Sequence, residues 1–155
     1  MNSLVIYASR SGNTRRVAAE IGRALSEHGR VQVFEIGEAP DQLPDADLII
    51  VGGPTEGHGA TPPMVEFLDH LGSKTVAGRQ VAAFDTRLPW PRLLSGSAAE
   101  GIAKRLRSAG GRLVYAPESF IVDRTPELRP GELERAGRWA TDVALEVEAR
   151  LPVLA

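Results

Sequence analysis

Two polar, glycine-containing segments of the sequence have the composition of loops that bind an anionic ligand. The first segment, Ser9-Arg10-Ser11-Gly12-Asn13-Thr14, follows a short β-rich run and precedes an amphipathic stretch of helical period. A helix N-terminus offers unpaired N–H groups and the positive end of the helix dipole, both of which favour an anion. Gly12 allows close approach or positive φ, so the segment suits a terminal phosphate monoester. An ordinary helix cap by Asn13 or Thr14 is the alternative interpretation, and we expect both residues to lie at a solvent-facing helix start.

Two further connections differ from plain linkers. The second loop, residues 54–61, is rich in glycine and follows a strongly apolar run. The third loop, residues 86–97, contains Trp90 and three leucines, which is more apolar surface than a solvated connector usually has. Loops of this length in a compact domain are often functional, so we expect both to contribute to a site.

The elements that position these loops alternate between short apolar runs and amphipathic helical stretches. The predicted strands are 3–8, 31–36, 47–53, 80–85 and 112–116, with a short extra β segment at 119–123 beside the fifth. The predicted helices are 14–29, 62–72, 98–109 and 131–151. This alternation predicts one α/β domain over residues 1–155, with a parallel sheet whose second strand lies at an edge. The three loops would then share the carboxyl edge of the sheet, where such folds bind ligands.

Composition and missing motifs exclude several classes of function. The chain has no cysteine, which rules out thiol redox chemistry and cysteine-held clusters, and three scattered histidines do not form a metal site. A net charge of −2 does not favour nucleic acid or an anionic membrane as partner. The Walker A, dinucleotide-binding, Gly-x-Ser-x-Gly and His-Glu-x-x-His patterns are all absent. No apolar run approaches the roughly 20 residues of a membrane span, and we expect a cytoplasmic protein whose mature form is the whole chain.

The first loop, placed after a Val-Ile-Tyr strand, resembles the phosphate loop of the flavodoxin family, and the second resembles that family's flavin-contacting loop. The likeness extends to element order and length. It implies a three-layer, doubly wound sheet of five parallel strands in the order 2-1-3-4-5, with one non-covalently bound FMN. By this resemblance the ribityl phosphate lies against Ser9, Arg10, Ser11, Gly12, Asn13 and Thr14. The isoalloxazine ring is edged by Pro54, Thr55, Glu56, Gly57, His58 and Gly59.

The resemblance also assigns the third loop and marks departures from the family pattern. Asp85, Thr86 and Arg87 are expected at the pyrimidine edge of the flavin or its ribityl hydroxyls. Flavodoxins commonly stack a Trp from the second loop and a Tyr from the third on the two ring faces. In this sequence His58 is the only aromatic side chain in the second loop, and Trp90 of the third loop stands in place of the Tyr. Trp90 is expected either to cover one ring face or to act as a hydrophobic plug that folds the loop down.

Three functions are compatible with these features. The first is an FMN-dependent electron carrier that shuttles between a reductase and an acceptor protein and has no catalytic residues of its own. The second is an NAD(P)H-dependent quinone or flavin reductase of the same superfamily. The third is a flavodoxin-like interaction module that no longer binds flavin. The loops mix carboxylates with arginines, so the acidic docking face typical of flavodoxins is not expected here.

Overall fold

A computed structural model describes residues 1–153, apart from the side chain of residue 73. The strands are β1 (Asn2–Tyr7), β2 (Arg30–Glu35), β3 (Leu48–Glu56), β4 (Gly59–Ala60), β5 (Gln80–Arg87), β6 (Arg112–Leu113) and β7 (Glu118–Ile121). The helices are α1 (Asn13–Leu25), α2 (Pro62–Val76), α3 (Arg92–Ser95), α4 (Ala98–Ser108) and α5 (Glu132–Arg150), and a 3-10 turn, Ser26–His28, follows α1.

The sheet runs in the order β2-β1-β3-β5, with β6 and β7 both paired to β5. All of these pairs are parallel, and β2 lies at an edge. The expected order 2-1-3-4-5 is therefore confirmed, with β5 as the fourth position and β6 and β7 together as the fifth. The segment expected beside the fifth strand instead continues it, since Leu113 pairs with Val81 and Glu118 pairs with Phe84. Pro117 has no N–H to donate to the ladder, which accounts for the interruption between β6 and β7.

Helices cover both faces of the sheet and enclose two separate apolar layers. One layer packs α1 and α5 against side chains such as Val5, Ile50 and Phe84. The other packs α2 and α4 against side chains such as Ile6 and Val51. Successive strand residues point to opposite faces, so these nearly continuous apolar runs serve both layers at once.

The structure departs from the expected elements at three places. Helix α2 does not end at Gly72 but continues to Val76 across a break, at which Gly72 has φ of 66°. Strand β3 extends to Glu56 and returns as β4, so the second loop contains a hairpin. A short helix, α3, forms inside the third loop, giving five helices in residues 1–153 where four were expected. None of the helices in this part of the chain has the length and hydropathy needed to cross a bilayer.

Three aromatic rings form the centre of the α1/α5 layer. Phe84, Phe120 and Trp139 meet edge to face, with ring centroids 6.1 to 6.2 Å apart. Gly52 lies beneath them, and a Cβ at this position would overlap the Phe84 ring. At Gly53, by contrast, the nearest atom to a Cβ would be Met64 Cε at 3.7 Å.

This difference predicts opposite outcomes for two adjacent substitutions. Gly52→Ala should lower the free energy of unfolding by about 1–3 kcal/mol, because the new methyl group displaces a packed aromatic ring. Gly53→Ala should change it by less than about 1 kcal/mol, because the methyl group enters ordinary van der Waals contact. Urea unfolding of both variants measures the two values, and equal losses would contradict the packing described.

Glu132 and Arg135 join the start of α5 to β7. Glu132 is buried, and its Oε2 accepts hydrogen bonds from the Ile121 N–H at 2.6 Å and from Arg135 Nη2 at 2.8 Å. Burial by itself raises the pKa of the Glu132 carboxyl, but the bonds from Arg135 and Ile121 outweigh burial and leave that pKa below its ordinary value. The folded state therefore favours the ionised carboxylate.

The lowered pKa of Glu132 predicts a stability that depends on pH. This contribution is fully present above the unfolded-state pKa of about 4.3 and is lost as pH falls through the lower folded-state value. Glu132→Gln should destabilise the protein at neutral pH and flatten its stability profile below about pH 5. Glu134→Gln, an exposed change in the same helical turn, should leave the profile of thermal midpoint against pH unchanged.

Candidate functional site

The first, second and third loops leave three neighbouring strands at the carboxyl edge of the sheet. Strand β3 lies between β1 and β5, and Pro54 pairs in register with Thr86. The Ala8 N–H donates to the Gly52 carbonyl at 3.0 Å, which holds the start of the first loop against β3. The order of the strands reverses at β1, since β2 lies on one side of it and β3 on the other, and such switch points are the usual ligand sites of open α/β sheets.

Gly12 shapes the first loop by taking the left-handed conformation. It has φ of 95° and is the N-cap residue of α1, so the cap position itself supplies no side-chain hydrogen bond. The alternative of a cap by Asn13 or Thr14 is therefore wrong. Ser9 Oγ instead accepts the Gly12 N–H at 3.2 Å and the Arg15 N–H at 3.4 Å, so the loop folds back on itself.

Asn13 and Thr14 are buried, with 6% and 2% of their surface exposed, so the expectation of a solvent-facing helix start is wrong. Two partners from distant parts of the chain cover them. Asn13 Nδ2 donates to the Pro126 carbonyl at 3.0 Å. The hydroxyls of Thr14 and Thr86 lie 2.8 Å apart and share a hydrogen bond. These contacts use the side chains to fix the loop, which leaves its backbone as the free hydrogen-bonding surface.

Two backbone N–H groups at the start of α1 have no acceptor in the described part of the chain. Those of Asn13 and Thr14 make no hydrogen bond within residues 1–153, as expected for the first turn of a helix. A Cβ at Gly12 would meet no atom within 4 Å, so open space lies beside this turn. Free donors, a positive helix end and vacant volume together fit a phosphate group.

The start of α4, at the same edge of the sheet, is satisfied by the protein itself. The Ala98 N–H donates to Thr55 Oγ1 and the Ala99 N–H to Asp85 Oδ2, each at 3.0 Å. Ser97 Oγ accepts the Glu100 N–H at 3.3 Å and donates to Asp85 Oδ2 at 2.6 Å. Of these two helix starts, that of α1 is therefore the one left available to an anion.

Asp85 and Thr55 thus have a structural role in addition to the one expected from the resemblance. Asp85 is fully buried, and its second oxygen, Oδ1, has no hydrogen-bond partner within the described chain. Contact of either residue with a cofactor stays a prediction. Thr86 is likewise buried and bonded to Thr14, so it joins the first loop to β5.

The second loop is a hairpin whose two turn residues are both left-handed. Glu56 pairs with Gly59 across the turn, and Gly57 and His58 have φ of 54° and 71°. Positive φ at both central residues is the mark of a type I′ turn, and His is among the non-glycine residues that tolerate it best. Gly96 of the third loop lies against this turn so closely that a Cβ there would overlap the His58 carbonyl.

The third loop is fastened to the sheet by Arg87. Its Nη1 donates to the carbonyls of Leu88 and Trp90, the first at 3.4 Å. The Arg124 guanidinium lies over the Trp90 ring, 5.1 Å from its centroid. The second and third loops thereby enclose a cavity of about 230 Å³, lined by Thr55, Gly57, His58, Arg87, Leu88, Trp90 and Ser95.

Arg10 connects the first and second loops. Its side chain is exposed, and Nε lies 3.1 Å from Glu56 Oε1. Ser9, Arg10 and Pro54 also line a cavity of about 200 Å³ on the side of the sheet toward β2. The structure therefore brings all sixteen predicted residues to one edge, with Asp85 beneath the surface.

Three residues of this edge escaped the sequence analysis. Ser97 could have been found, since a serine directly before a helical pattern is a typical N-cap. Pro126 and Arg124 carried no local signal, because both reach the site from a connection more than 110 residues after the first loop.

A larger groove, of about 650 Å³, lies between α1 and α5 on a face of the protein. Two of the three arginines that line it are paired with carboxylates, Arg23 with Glu20 at 2.5 Å and Arg135 with Glu118 at 3.3 Å. The groove contains none of the predicted residues.

Known proteins resemble this chain in fold and, more weakly, in sequence. A flavodoxin from the domain Archaea superposes with a TM-score of 0.80 and 28% identity, over 96% of this chain and 99% of that one. Rubredoxin:oxygen oxidoreductase from Desulfovibrio gigas shares the fold, with a TM-score of 0.79 and 18% identity over 98% of this chain and 37% of its own. The S-adenosyl-L-methionine-dependent tRNA 4-demethylwyosine synthase of Oryza sativa subsp. japonica is 29% identical over 132 residues, which is 77% of this chain. The chain spans only 20% of the length of that curated relative.

The family itself is shown by the first half of the sequence. A model of the flavodoxin family matches residues 5–87, which include the second half of β1, the first and second loops and β5. This match covers more than half of the chain and includes the turn with free N–H groups. The chain therefore belongs to the flavodoxin family.

Proposed function

We propose that this chain binds one FMN non-covalently at the carboxyl edge of the sheet and carries electrons between protein partners. The observation that supports this most is the start of α1, where the N–H groups of Asn13 and Thr14 make no hydrogen bond within residues 1–153 and the Cβ position of the left-handed Gly12 is open. At the neighbouring start of α4, side-chain oxygens of Thr55, Asp85 and Ser97 accept the backbone N–H groups. The two helix starts therefore differ because different side chains stand beside them.

The cofactor and the protein would have different roles in this function. Bound FMN supplies the electron-transfer chemistry, as in other flavoproteins. The first loop would hold the phosphate through backbone N–H groups and through the side chains of Ser9 and Ser11. The cavity between the second and third loops would receive the ring, with Trp90 against one face and His58 at its edge.

The electrostatics of this cavity come from Arg87. No carboxylate lies within ion-pairing distance of Arg87 among the residues described, although its Nη1 is bonded to two carbonyls. A fixed positive charge on the lining would attract negative charge in the cavity more strongly than the same two charges attract each other in bulk water, because the surrounding dielectric is lower. Trp90 and Leu88 would at the same time exclude water from the ring.

The archaeal flavodoxin supports the carrier function, because this chain matches it over nearly its whole length. This chain covers 37% of the D. gigas oxidoreductase and 20% of the rice synthase, so the common part is one segment of each longer protein. It covers 99% of the archaeal flavodoxin, in contrast. We infer that this chain passes electrons between a reductase and an acceptor protein, as the carrier function requires.

A pair of matched glycine substitutions tests the position of the phosphate. Gly12 and Gly131 both cap a helix, with φ of 95° and 90° and the same ψ of −11°, and both have open space at Cβ. Alanine at either position should cost about 1–2 kcal/mol of stability through the same backbone strain. Only Gly12→Ala should weaken FMN binding, by about tenfold or more, since only there does the methyl group enter the phosphate space.

Fluorescence titration of the apoprotein with FMN, and in parallel with riboflavin, gives the two affinities. The preference for FMN over riboflavin should shrink in Gly12→Ala and persist in Gly131→Ala, because riboflavin lacks the phosphate. Equal FMN affinity in both variants would contradict the assigned phosphate position. No FMN binding by the unaltered chain would favour an interaction module instead.

The carrier and reductase functions differ in their response to a nicotinamide. The FMN-loaded chain should oxidise NADPH or NADH negligibly without a partner protein, because the sequence has no dinucleotide-binding loop. Adding a flavin-dependent ferredoxin reductase should restore reduction of the bound flavin. Anaerobic stopped-flow absorbance of the flavin band measures both rates. Fast reduction by NADPH alone would favour the reductase.

A further inference from the structure

The third loop exposes an apolar surface beside the candidate cofactor cavity. Four of its side chains are large, hydrophobic and at least 42% exposed, and we call them the third-loop patch: Leu88, Trp90, Leu93 and Leu94. Leu93 is 95% exposed and Leu94 is 61% exposed. Scattered apolar residues are normal on protein surfaces, but four within seven residues form a contiguous patch of the kind that marks an interaction site.

This patch is held in place rather than left loose. Arg87 bonds the carbonyls of Leu88 and Trp90 from below. Arg92 Nη2 donates to the Pro117 carbonyl at 3.3 Å and to Ser119 Oγ at 3.1 Å, which anchors the short helix α3 to the region before β7. The leucines therefore face solvent on a fixed backbone, which lowers the entropy lost when a partner covers them.

The charged side chains of the third loop itself are all positive. The third loop contains two arginines and no carboxylate. Arg92 is paired with Glu100 at 3.1 Å, but Arg87 and Arg124 have no ion-pair partner within residues 1–153. Glu56 is paired with Arg10. Among the described carboxylates that make no ion pair, Glu127 is the nearest in sequence to Arg124, which it follows by three residues. A chain with a net charge of −2 therefore presents uncompensated arginines at this one edge.

The patch is continuous with the cavity between the second and third loops. Leu88 and Trp90 belong to both, and the Arg124 guanidinium lies on the Trp90 ring. A protein bound to the patch would come within a side chain's length of whatever occupies the cavity. Apolar contact at the centre with complementary charge at the rim is the usual anatomy of a transient protein interface.

We propose that the third-loop patch docks a redox protein that surrounds an apolar centre with carboxylates. The redox role of this partner rests on the proposed function, but the docking itself depends only on the patch and its arginines. The sign of charge is specific to this chain, because it follows from Arg87 and Arg124 rather than from the fold. A second copy of the chain, the competing occupant, would bring arginines against arginines.

Isothermal titration of the full chain with oxidised plant-type [2Fe–2S] ferredoxin, an acidic redox protein, tests the proposal. A cytochrome c with a basic face serves as the probe of opposite charge. Ferredoxin should bind at about 20 mM salt and weaken by about tenfold or more at about 300 mM, whereas cytochrome c should bind weakly at both. The titration is done with and without FMN, so failure to bind FMN is separated from failure to dock.

Matched variants locate the binding surface. Leu93→Ser combined with Leu94→Ser, and separately Arg124→Glu, should each weaken ferredoxin binding about tenfold. Leu145→Ser on α5 and Arg107→Glu at the far end of α4 are exposed controls that should leave it unchanged. Glu127→Gln should strengthen binding at low salt, because it removes the nearest carboxylate in sequence to Arg124 that makes no ion pair within the described residues.

Four results would overturn the proposal. They are absence of ferredoxin binding at low salt, tighter binding of cytochrome c, equal effects of the patch and control variants, and self-association that the leucine substitutions abolish. The last result would assign the patch to a second copy of the chain. Loss of FMN binding with ferredoxin docking intact would instead count against the proposed function and leave the docking surface standing.

Discussion

The unpaired N–H groups at the start of a helix are the constraint on which this molecule's functional edge depends. Each such group must find an acceptor from the protein, from water or from a ligand. At α4 the protein supplies all three acceptors, from Thr55, Asp85 and Ser97. At α1 it supplies Ser9 for Arg15 alone and leaves the groups of Asn13 and Thr14 open. The carboxyl edge of the sheet therefore carries two different helix starts. The N–H groups at the start of α4 have protein acceptors, whereas two at the start of α1 have none among the described residues.

The contacts at the start of α4 also fix the loops that surround the start of α1. Asp85 and Ser97 bind the two ends of the third loop together, and Thr55 fastens α4 to the strand that leads into the second loop. Arg10 and Glu56 join the second loop to the first. A cofactor that entered this edge would find the backbone already in place, which reduces the entropy that its binding must overcome.

The sequence predicts the framework of this edge well because its signals are local. Apolar runs of strand length and helical periods require only neighbouring residues, and they give the sheet, its layers and the position of the first loop. Gly12 is predictable for the same reason, since a tight turn into a helix needs a residue that accepts positive φ. The flavodoxin resemblance adds the strand order, which periodicity alone does not determine.

What the sequence does not predict is set by contacts between distant segments. Asn13 is buried because the connection before α5 folds over it, and no feature near residue 13 reports that. The hairpin at Gly57 and His58 replaces an expected irregular loop, because the left-handed conformation of His58 is fixed by cross-strand pairing. The interruption of the fifth strand follows from Pro117, whose effect is visible in the sequence only once the strand is known to continue beyond it.

The bond between Asn13 and the Pro126 carbonyl bears on how the chain can be divided. The family-matched segment stops at residue 87, yet the Asn13 amide in its first loop donates to the carbonyl of Pro126, which lies far outside that segment. The sheet likewise needs β7 to cover the edge of β5. Truncation after residue 87 would thus remove contacts that the candidate site needs. A circular permutation or a domain graft should therefore place its new chain ends at another position.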